Sequence, residues 1–287
     1  MFTLEVENKR GQKLKLTQDE SNYQISNIDG LKPPSAEIYT DVVALLDGEK
    51  YKSSHIEMRN VVLTVAIKGD VERNRTNLYK YFSMGKYCKL HYTNTNRDVY
   101  CEGYVETIEN DLFANSQTVQ ISIVCPDPYL YELETIYTDM RGVLNNFEFP
   151  FAIDENGKEI SSLIDTRDIL VMNGGETETG MIITIYNKGS NSDIPKLYNS
   201  ETGEKIEVKT ELHAGEKIII NTNRSKKSVS VYRSNGTIEN VIGYLTHDSS
   251  WLQLDVGANY FTLMNRNGEY DSNLVCIIEH SNRYLGV

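Results

Sequence analysis

The sequence lacks any long apolar run. Its longest runs, such as residues 61–67, fall far short of the roughly 20 residues that a membrane-spanning helix needs. Residues 2–7 alternate apolar and polar side chains and have none of the basic start, apolar stretch and cleavage site of a signal peptide. These absences exclude a membrane-spanning role and favour a chain that folds in a cytoplasm.

Signatures of metal binding and catalysis are missing as well. The chain has no C-x-x-C pair, no H-E-x-x-H, no phosphate loop, no nucleophile elbow and no dinucleotide fingerprint. His247, Asp248 and Ser249 are adjacent in a polar stretch, and neighbours in a turn cannot adopt the geometry of a base and its nucleophile. We therefore predict a protein that is not an enzyme, with no catalytic residue, no cofactor and no metal. We expect the four cysteines to be buried free thiols: Cys88, Cys101, Cys125 and Cys276.

A basic surface is also absent. The chain has 29 Lys and Arg against 41 Asp and Glu, a net charge of -12, and the acidic excess is spread over both halves. Proteins that grip nucleic acid neutralise its phosphates with clustered basic side chains. We expect no specific binding of DNA.

What the first half does contain is strand patterning. Residues 56–67 place apolar side chains first on even and then on odd positions, and this slip predicts a β-bulge at Arg59–Asn60. Residues 88–105 alternate on both sides of the polar turn 94–97, which predicts a hairpin. A further strand over 119–125 stops at Pro126 because proline cannot donate to a ladder.

One segment of this half, residues 69–86, has helical periodicity. Asp70 is placed to cap the helix after Gly69, and Gly85 is placed to end it. Val71, Leu78, Tyr81 and Phe82 share one face, so we predict that the helix is a lid on the first domain. A helix that only fills the core and a helix that covers a sheet edge are the alternatives.

The second half repeats short β-rich runs separated by turn signals every 8 to 12 residues, the spacing of a β-sandwich. Tight-turn dipeptides occur at Asn235–Gly236 and Asn267–Gly268, and residues 126–143 have no clear period and suggest a connector. We predict a mainly β protein of two β-sandwich domains, residues 1–135 and 136–287. The runs expected as strands are 181–186, 205–208, 217–220, 228–232, 252–254 and 274–278.

A carbohydrate-binding module is the alternative function. Such sandwiches stack sugars on exposed aromatic rings, and the single tryptophan, Trp251, is the candidate platform. Its neighbours Leu252 and Leu254 have the pattern of core residues, so a place for Trp251 in the core competes with that role.

Several segments together carry a family resemblance. In the first half they are IDGLKPPSAEI (28–38), GEKYKSSHIEMRNVVLTVAIKGD (48–70), ERNRTNLYKYF (72–82), KLHYTNTNRDVYCEGYVETIE (89–109) and VCPDPYLYE (124–132). In the second half they are FEFPF (147–151), NGGETETGMIITIYN (173–187) and WLQLDVGANYF (251–261). In this order they resemble the siphophage tail component family, the distal tail proteins often called Dit.

The resemblance implies a structural protein with a ring-forming N-terminal β domain and a galectin-like, carbohydrate-binding-module-like C-terminal sandwich. Members of the family form a homo-hexameric ring at the tip of the phage tail, assembled in the cytoplasm of the bacterial host. The implied partners are the major tail protein, the tail-associated lysin or hub protein, the tape measure protein and, at the periphery, receptor-binding proteins. DNA passes through the channel of such a ring.

A closed ring needs two different patches that meet on neighbouring subunits. We expect these contacts to come from residues 28–38, where two prolines fix an extended segment, and from the hairpin 89–109. The candidate interface residues are Pro33, Pro34, Arg59, Tyr92 and Arg97.

Overall fold

The computed structural model describes residues 2–17, 22–44, 47–111, 117–139, 141–145, 161–165, 168–191 and 193–287. The chain forms two compact units. The first unit comprises Met1–Leu133 together with Arg283–Val287, and the second comprises Glu134–Asn282. The predicted fold class, mainly β with two sandwich-like domains, is confirmed.

The first unit is built on strands, most of which alternate buried and solvent-facing side chains. They are β1 (Thr3–Asn8), β2 (Lys13–Leu16), β3 (Tyr23–Asp29), β4 (Ala36–Val42), β5 (Glu49–Ile56), β6 (Arg59–Ile67), β7 (Tyr87–Thr93), β8 (Asp98–Asn110), β9 (Thr118–Cys125), β10 (Leu130–Glu132) and β23 (Arg283–Tyr284). The main sheet has the order β2-β1-β7-β8-β9-β6-β3, with β10 paired to β8 and β23 paired to β10. A bridge from Thr17 to Gln24 brings the two ends of the sheet together around one apolar core.

The predicted hairpin, helix and final strand of this unit are confirmed. Strands β7 and β8 pair across the turn 94–97, and β9 ends at Cys125 before Pro126. Helix α1 (Val71–Tyr81) begins at Asp70, whose carboxylate accepts a hydrogen bond from the Arg73 amide at 3.2 Å. Leu78 and Phe82 lie in the apolar core, so the helix covers the sheet with its apolar face.

The second unit is a sandwich of a six-stranded and a four-stranded sheet. Its elements are β11 (Ile136–Asp139), β12 (Arg141–Asn145), β13 (Ser161–Asp165), β14 (Asp168–Asn173), β15 (Met181–Asn187), β16 (Lys196–Asn199), β17 (Lys205–Glu207), β18 (Lys217–Asn221), β19 (Ser228–Tyr232), β20 (Ile238–Asn240), a 3-10 turn η1 (Ile242–Tyr244), β21 (Gly257–Met264) and β22 (Leu274–His280). The sheets have the orders β11-β22-β15-β18-β19-β20 and β14-β21-β16-β17, and β12 pairs with β13 alone. Side chains from the two large sheets share a second apolar core.

Two sequence predictions about strands are wrong. Ile56 ends β5 and Arg59 begins β6, in different sheets, so the slip at Arg59–Asn60 marks a change of strand and not a bulge. Residues 252–254 form no strand, because Leu254 makes only an isolated bridge to Thr179; the two leucines are nevertheless fully buried.

The connection between the units also differs from expectation. Residues 126–143 are not a simple connector, since β10 joins the first unit and β11 joins the second. The compact units divide after Leu133, and residues 283–287 belong to the first unit, whereas the sequence assigned them to the C-terminal domain. Residues 283–287 belong to the first unit because β23 pairs with β10. The paired residues are about 150 positions apart in the sequence, so no local sequence pattern predicts the contact. The segment 147–151, part of the family resemblance, lies outside the described residues.

Candidate assembly surface

Strands β4 and β5 form a two-stranded ribbon outside the main sheet of the first unit. We call this ribbon the arm. All of its strand residues except Ile56 are exposed. An isolated two-stranded ribbon is at best marginally stable in water, so an arm of this kind is expected to gain stability from a surface that covers it.

The two faces of the arm differ in chemistry. The strand register places Ile38, Val42 and Tyr51 on one face, and their exposed fractions are 63%, 79% and 61%. The polar side chains of Thr40, Glu49 and Ser54 lie on the same face, beside these three. Exposed apolar side chains that cluster in this way are typical of interaction surfaces. We call this the apolar face of the arm.

The opposite face is polar and organised by contacts within the arm. The Tyr39 ring stacks on the His55 ring with centroids 5.7 Å apart, and the Tyr39 hydroxyl donates to the Glu37 carboxylate at 2.8 Å. Lys52 lies 3.3 Å from Asp41. This face is therefore suited to water, and the apolar face is the one that a partner would cover.

A second surface with apolar side chains lies beside the base of the arm. A groove there is lined by the apolar Ile56, Met58 and Val124 and by the polar or charged His55, Glu57, Asn60 and Glu106. Met58 is 66% exposed, and Tyr104, the register partner of Val124 on β8, is exposed as well. The first unit thus carries two different apolar patches, which is what a heterologous interface requires.

The chain that leads into the arm, residues 30–35, is the arm root. It is held by Arg59, which is buried with 2% of its surface exposed. The Arg59 guanidinium donates to the carbonyls of Gly30 at 2.5 Å and Lys32 at 2.9 Å in the root. It also donates at 2.7 Å to the carbonyls of Pro128 and Leu285. Burial lowers the pKa of Arg59 below its usual value, and four carbonyl partners compensate for the lost hydration.

This placement corrects the sequence interpretation of Arg59. A side chain buried in its own unit offers no surface to a neighbouring subunit, so we withdraw Arg59 from the candidate interface. It lies on the inward face of β6 with Val61 and Leu63. The sequence could not show this, because an arginine in an apolar alternation ordinarily marks the solvent side.

The other four interface candidates lie in the arm root or make contacts within the first unit. Their role in assembly stays a prediction. Pro33 is exposed and Pro34 partly buried, both in the arm root. Tyr92 stacks on Phe2 at 5.5 Å. Arg97 lies over the Tyr284 ring at 3.9 Å.

Trp251, the candidate sugar platform, is partly buried and packs against the core of the second unit. The Lys227 ammonium lies 5.1 Å from its ring centroid. Its role in sugar binding stays a prediction.

The segment 28–38, expected from the sequence to make interface contacts, includes Ile38 of the apolar face but not Val42 or Tyr51. Their signal was available: apolar side chains at alternate positions within a stretch otherwise rich in charge predict an amphipathic strand.

All four cysteines are buried and unbridged, and burial raises the pKa of Cys88 to about 12, so that thiol is protonated and unreactive. Within the described ranges, no group of three or more His, Cys, Asp or Glu side chains is placed to hold a metal ion. No helix in the described part of the chain has both the length and the apolarity to cross a bilayer.

Comparisons with known proteins agree with this architecture. A family model described as phage tail protein RIFT-related domain matches residues 9–125, and one described as siphovirus-type tail component, C-terminal domain, matches residues 174–284. No curated protein matches the sequence.

Solved structures share the fold over the whole chain. The crystal structure of the SPP1 Dit (gp 19.1) protein, described as a paradigm of hub adsorption apparatus in phages infecting Gram-positive bacteria, has a TM-score of 0.70 at 15% identity, covering 99% of both chains. A chain of the phage P2 baseplate in its activated conformation, solved with Ca and with Sr, has a TM-score of 0.53 at 11% identity, covering 100% of both chains. At these identities the likeness is one of fold.

Proposed function

Because the chain belongs to the siphophage distal tail proteins, with both domains of that family, we propose that it forms a hexameric ring at the tip of the phage tail. Its class is that of a structural protein of the tail or baseplate hub. The ring joins the tail tube to the tail-associated lysin and to the host-recognition apparatus.

The observation that carries the proposal is the arm. Its apolar face has no covering surface among the described residues of the first unit, where all but one of its strand residues are exposed. A second copy of the chain supplies the cover: the apolar face of one arm packs on the Met58, Tyr104 and Val124 patch of the next copy. Because these patches differ, each subunit uses one of each, and a sixfold rotation closes the ring without leaving an open end.

The remaining partners follow from the position of such a ring. The major tail protein lies on one face, and the hub protein or lysin lies on the other together with the end of the tape measure protein. Receptor-binding proteins attach at the periphery. Subunits assemble in the cytoplasm of the bacterial host and reside in the virion tail tip. The net charge of -12 suits a channel that lets DNA pass without specific contacts.

The test compares two variants with the same change of charge on opposite faces of the arm. Val42→Asp places a carboxylate on the apolar face, and Ser53→Asp places one on the polar face. Burying an unpaired carboxylate in an interface is strongly unfavourable, so Val42→Asp should remain monomeric at concentrations where wild type and Ser53→Asp assemble. Met58→Asp, on the opposing patch, should behave as Val42→Asp does.

The readouts are the molecular mass by sedimentation velocity and the symmetry of particles in negatively stained electron micrographs. A sixfold annulus from wild type, lost in Val42→Asp and kept in Ser53→Asp, is the expected result. A wild-type chain that is solitary both in solution and within assembled tails would refute the ring. Equal assembly of all variants would show that the arm is not the interface.

A further inference from the structure

Residues 283–287, which we call the return segment, complete the first unit after the chain has built the second. Strand β23 of this segment pairs antiparallel with β10, in the register Leu130 with Tyr284 and Tyr131 with Arg283. The ribosome makes the return segment only after all of the second unit, residues 134–282. The first unit is therefore incomplete until the second has been synthesised.

The return segment contacts the arm root directly. The Val287 amide donates to the Leu31 carbonyl at 3.2 Å. Arg59 holds the Leu285 carbonyl with the same guanidinium that holds Gly30 and Lys32.

Close packing adds to these hydrogen bonds. Gly286 lies so near the root that an added Cβ would sit 2.8 Å from Pro33 Cδ and 3.2 Å from the Leu31 carbonyl oxygen. The root and the return segment thus fit against each other with no room for a side chain at position 286.

Side chains anchor the return segment to the rest of the first unit. The Arg283 guanidinium lies 3.7 Å from the Tyr129 ring centroid and 3.7 Å from the Asp127 carboxylate. Arg97 covers the ring of Tyr284. Cation and ring contacts of this kind are strengthened when partly removed from water, so the segment is a fixed part of the first unit.

We propose that the return segment gates self-assembly. Its docking fixes the arm root, and only a fixed root presents the apolar face of the arm in the position that a second copy can cover. This proposal depends on the proposed function, the assembly of the chain into a ring. Its consequence is that nascent chains, which have already made the arm but not the second unit, are kept from assembling with each other on a polysome.

The physical basis is the cost of ordering a flexible segment at the moment of binding. Without the return segment, Arg59 loses one of its four acceptors and the Leu31 carbonyl loses its donor. The root, still held by Arg59 at Gly30 and Lys32, is then less restricted, and association must order it further. We expect the concentration for half-maximal assembly to rise at least tenfold.

The test uses a single substitution in the full chain and a shortened chain. Gly286→Val forces the return segment off the root by collision with Pro33, and a chain that ends at Asn282 removes the segment altogether. Gly243→Val is the matched control, because an added Cβ at Gly243 meets nothing within 4 Å. Hydrogen exchange over residues 28–38 reports the root, sedimentation velocity reports assembly, and fluorescence of Trp251 verifies that the second unit is folded.

The expected result is faster exchange at the root and at least tenfold weaker assembly in Gly286→Val and in the shortened chain, with Gly243→Val like wild type. Assembly of Gly286→Val at the wild-type concentration would overturn the gate and leave the ring intact. Faster exchange throughout β6 and β9 would report loss of the fold and also count against the gate. A wild-type chain that never assembles would overturn the ring and the gate together.

Discussion

At the scale of single residues, the buried charged side chains of Arg59 and Glu216 fix nearby turns and segments through hydrogen bonds. Arg59 joins four carbonyls in the first unit, and Glu216 joins three donors in the second. Each satisfies backbone groups that would otherwise be buried without a partner. Each is therefore expected to contribute to stability through its hydrogen bonds and not through a surface ion pair.

Replacing Arg59 should destabilise the first unit. Arg59→Met removes the donors to four partly buried carbonyls and should lower the free energy of unfolding by about 3 kcal/mol, since each unsatisfied acceptor costs on the order of 1–3 kcal/mol. Arg59→Lys should recover only part of this, because an ammonium lacks the planar fork that reaches several acceptors. Urea unfolding followed by circular dichroism measures the loss.

Arg10→Met is the control, because Arg10 is exposed and should change stability by less than about 0.5 kcal/mol. Trp251 is the only tryptophan and lies in the second unit, so its fluorescence should report the same midpoint in both variants. An Arg59→Met protein as stable as Arg10→Met would show that water or a rearranged chain replaces the guanidinium.

Glu216 should make the second unit sensitive to acid. Burial alone raises the pKa of its carboxyl, but hydrogen bonds from the His213 amide, the Arg233 guanidinium and the Ser234 amide outweigh burial and lower the pKa below 4.5. A lowered folded-state pKa contributes stability that is present above the unfolded-state pKa and is lost as the pH falls through the folded value. Stability should therefore fall as the pH drops below about 4.5.

The measurement is urea unfolding followed by Trp251 fluorescence between pH 7 and pH 3. Glu216→Gln should lose about 2 kcal/mol at pH 7, the usual scale for a hydrogen bond to a charged group, and should show a shallower fall in acid. Glu239→Gln is the matched control, because Glu239 binds the same Arg233 at 2.9 Å but is half exposed. This variant should have nearly the free energy of unfolding of wild type. Parallel acid profiles for wild type and Glu216→Gln would exclude Glu216 as the titrating group.

At the scale of elements, local sequence patterns were sufficient to predict a helix or strand wherever one side of that element faces the core. Helix α1 could be predicted from its cap and its apolar stripe, and the β7–β8 hairpin from alternation around a polar turn. The arm could not, because both of its faces meet solvent in the isolated chain and its apolar side chains therefore match no core. The residues that sequence analysis misses at such a place are those whose partner is another molecule.

Two glycines lie at opposite ends of the arm, Gly30 in the root and Gly48 in the turn at the tip, so substitutions at the two positions distinguish the role of the root from that of the turn. Gly30 and Gly48 both have positive φ, at 88° and 86°, so alanine at either position costs about 1–2 kcal/mol in backbone strain. A Cβ at Gly48 meets nothing, whereas a Cβ at Gly30 would lie 1.9 Å from the Asn60 carbonyl oxygen. Gly30→Ala should therefore cost about 3 kcal/mol or more, because forced overpacking adds to the strain.

Urea unfolding followed by circular dichroism compares the two alanine variants. Gly48→Ala should keep the fold of the first unit and change only the tip of the arm. Equal losses in the two variants would mean that the chain around Asn60 moves away at little cost, and that the root is less fixed than its contacts indicate.

At the scale of the whole molecule, the sequence predicts two β units and the position at which the chain enters the second, but not that it returns to the first. Composition and turn spacing are properties of neighbouring residues, and they were sufficient for the fold class. The pairing of β23 with β10 joins distant residues through a strand of only two positions, which is too short to have a period. The assembly surface stays a proposal. Residues 28–38, from which interface contacts are expected, include the root, whereas the buried position of Arg59 depends on contacts with distant residues such as Leu285.

The discontinuous first unit should fold without the second. The chain leaves through β10 and returns through β23, and these strands are antiparallel neighbours, so an Asn–Gly turn that joins Glu132 to Asn282 would convert them into an ordinary hairpin. The first unit has its own apolar core, so the excised protein should be soluble, β-rich and cooperative in unfolding by circular dichroism. It should also assemble near the wild-type concentration, because it keeps the return segment. A chain of residues 1–132 alone is the matched control, because it has the same arm without the return segment and should not assemble.

An excised protein that fails to fold would show that the second unit is needed for the first. Assembly of residues 1–132 would show that the arm needs no return segment to hold its root.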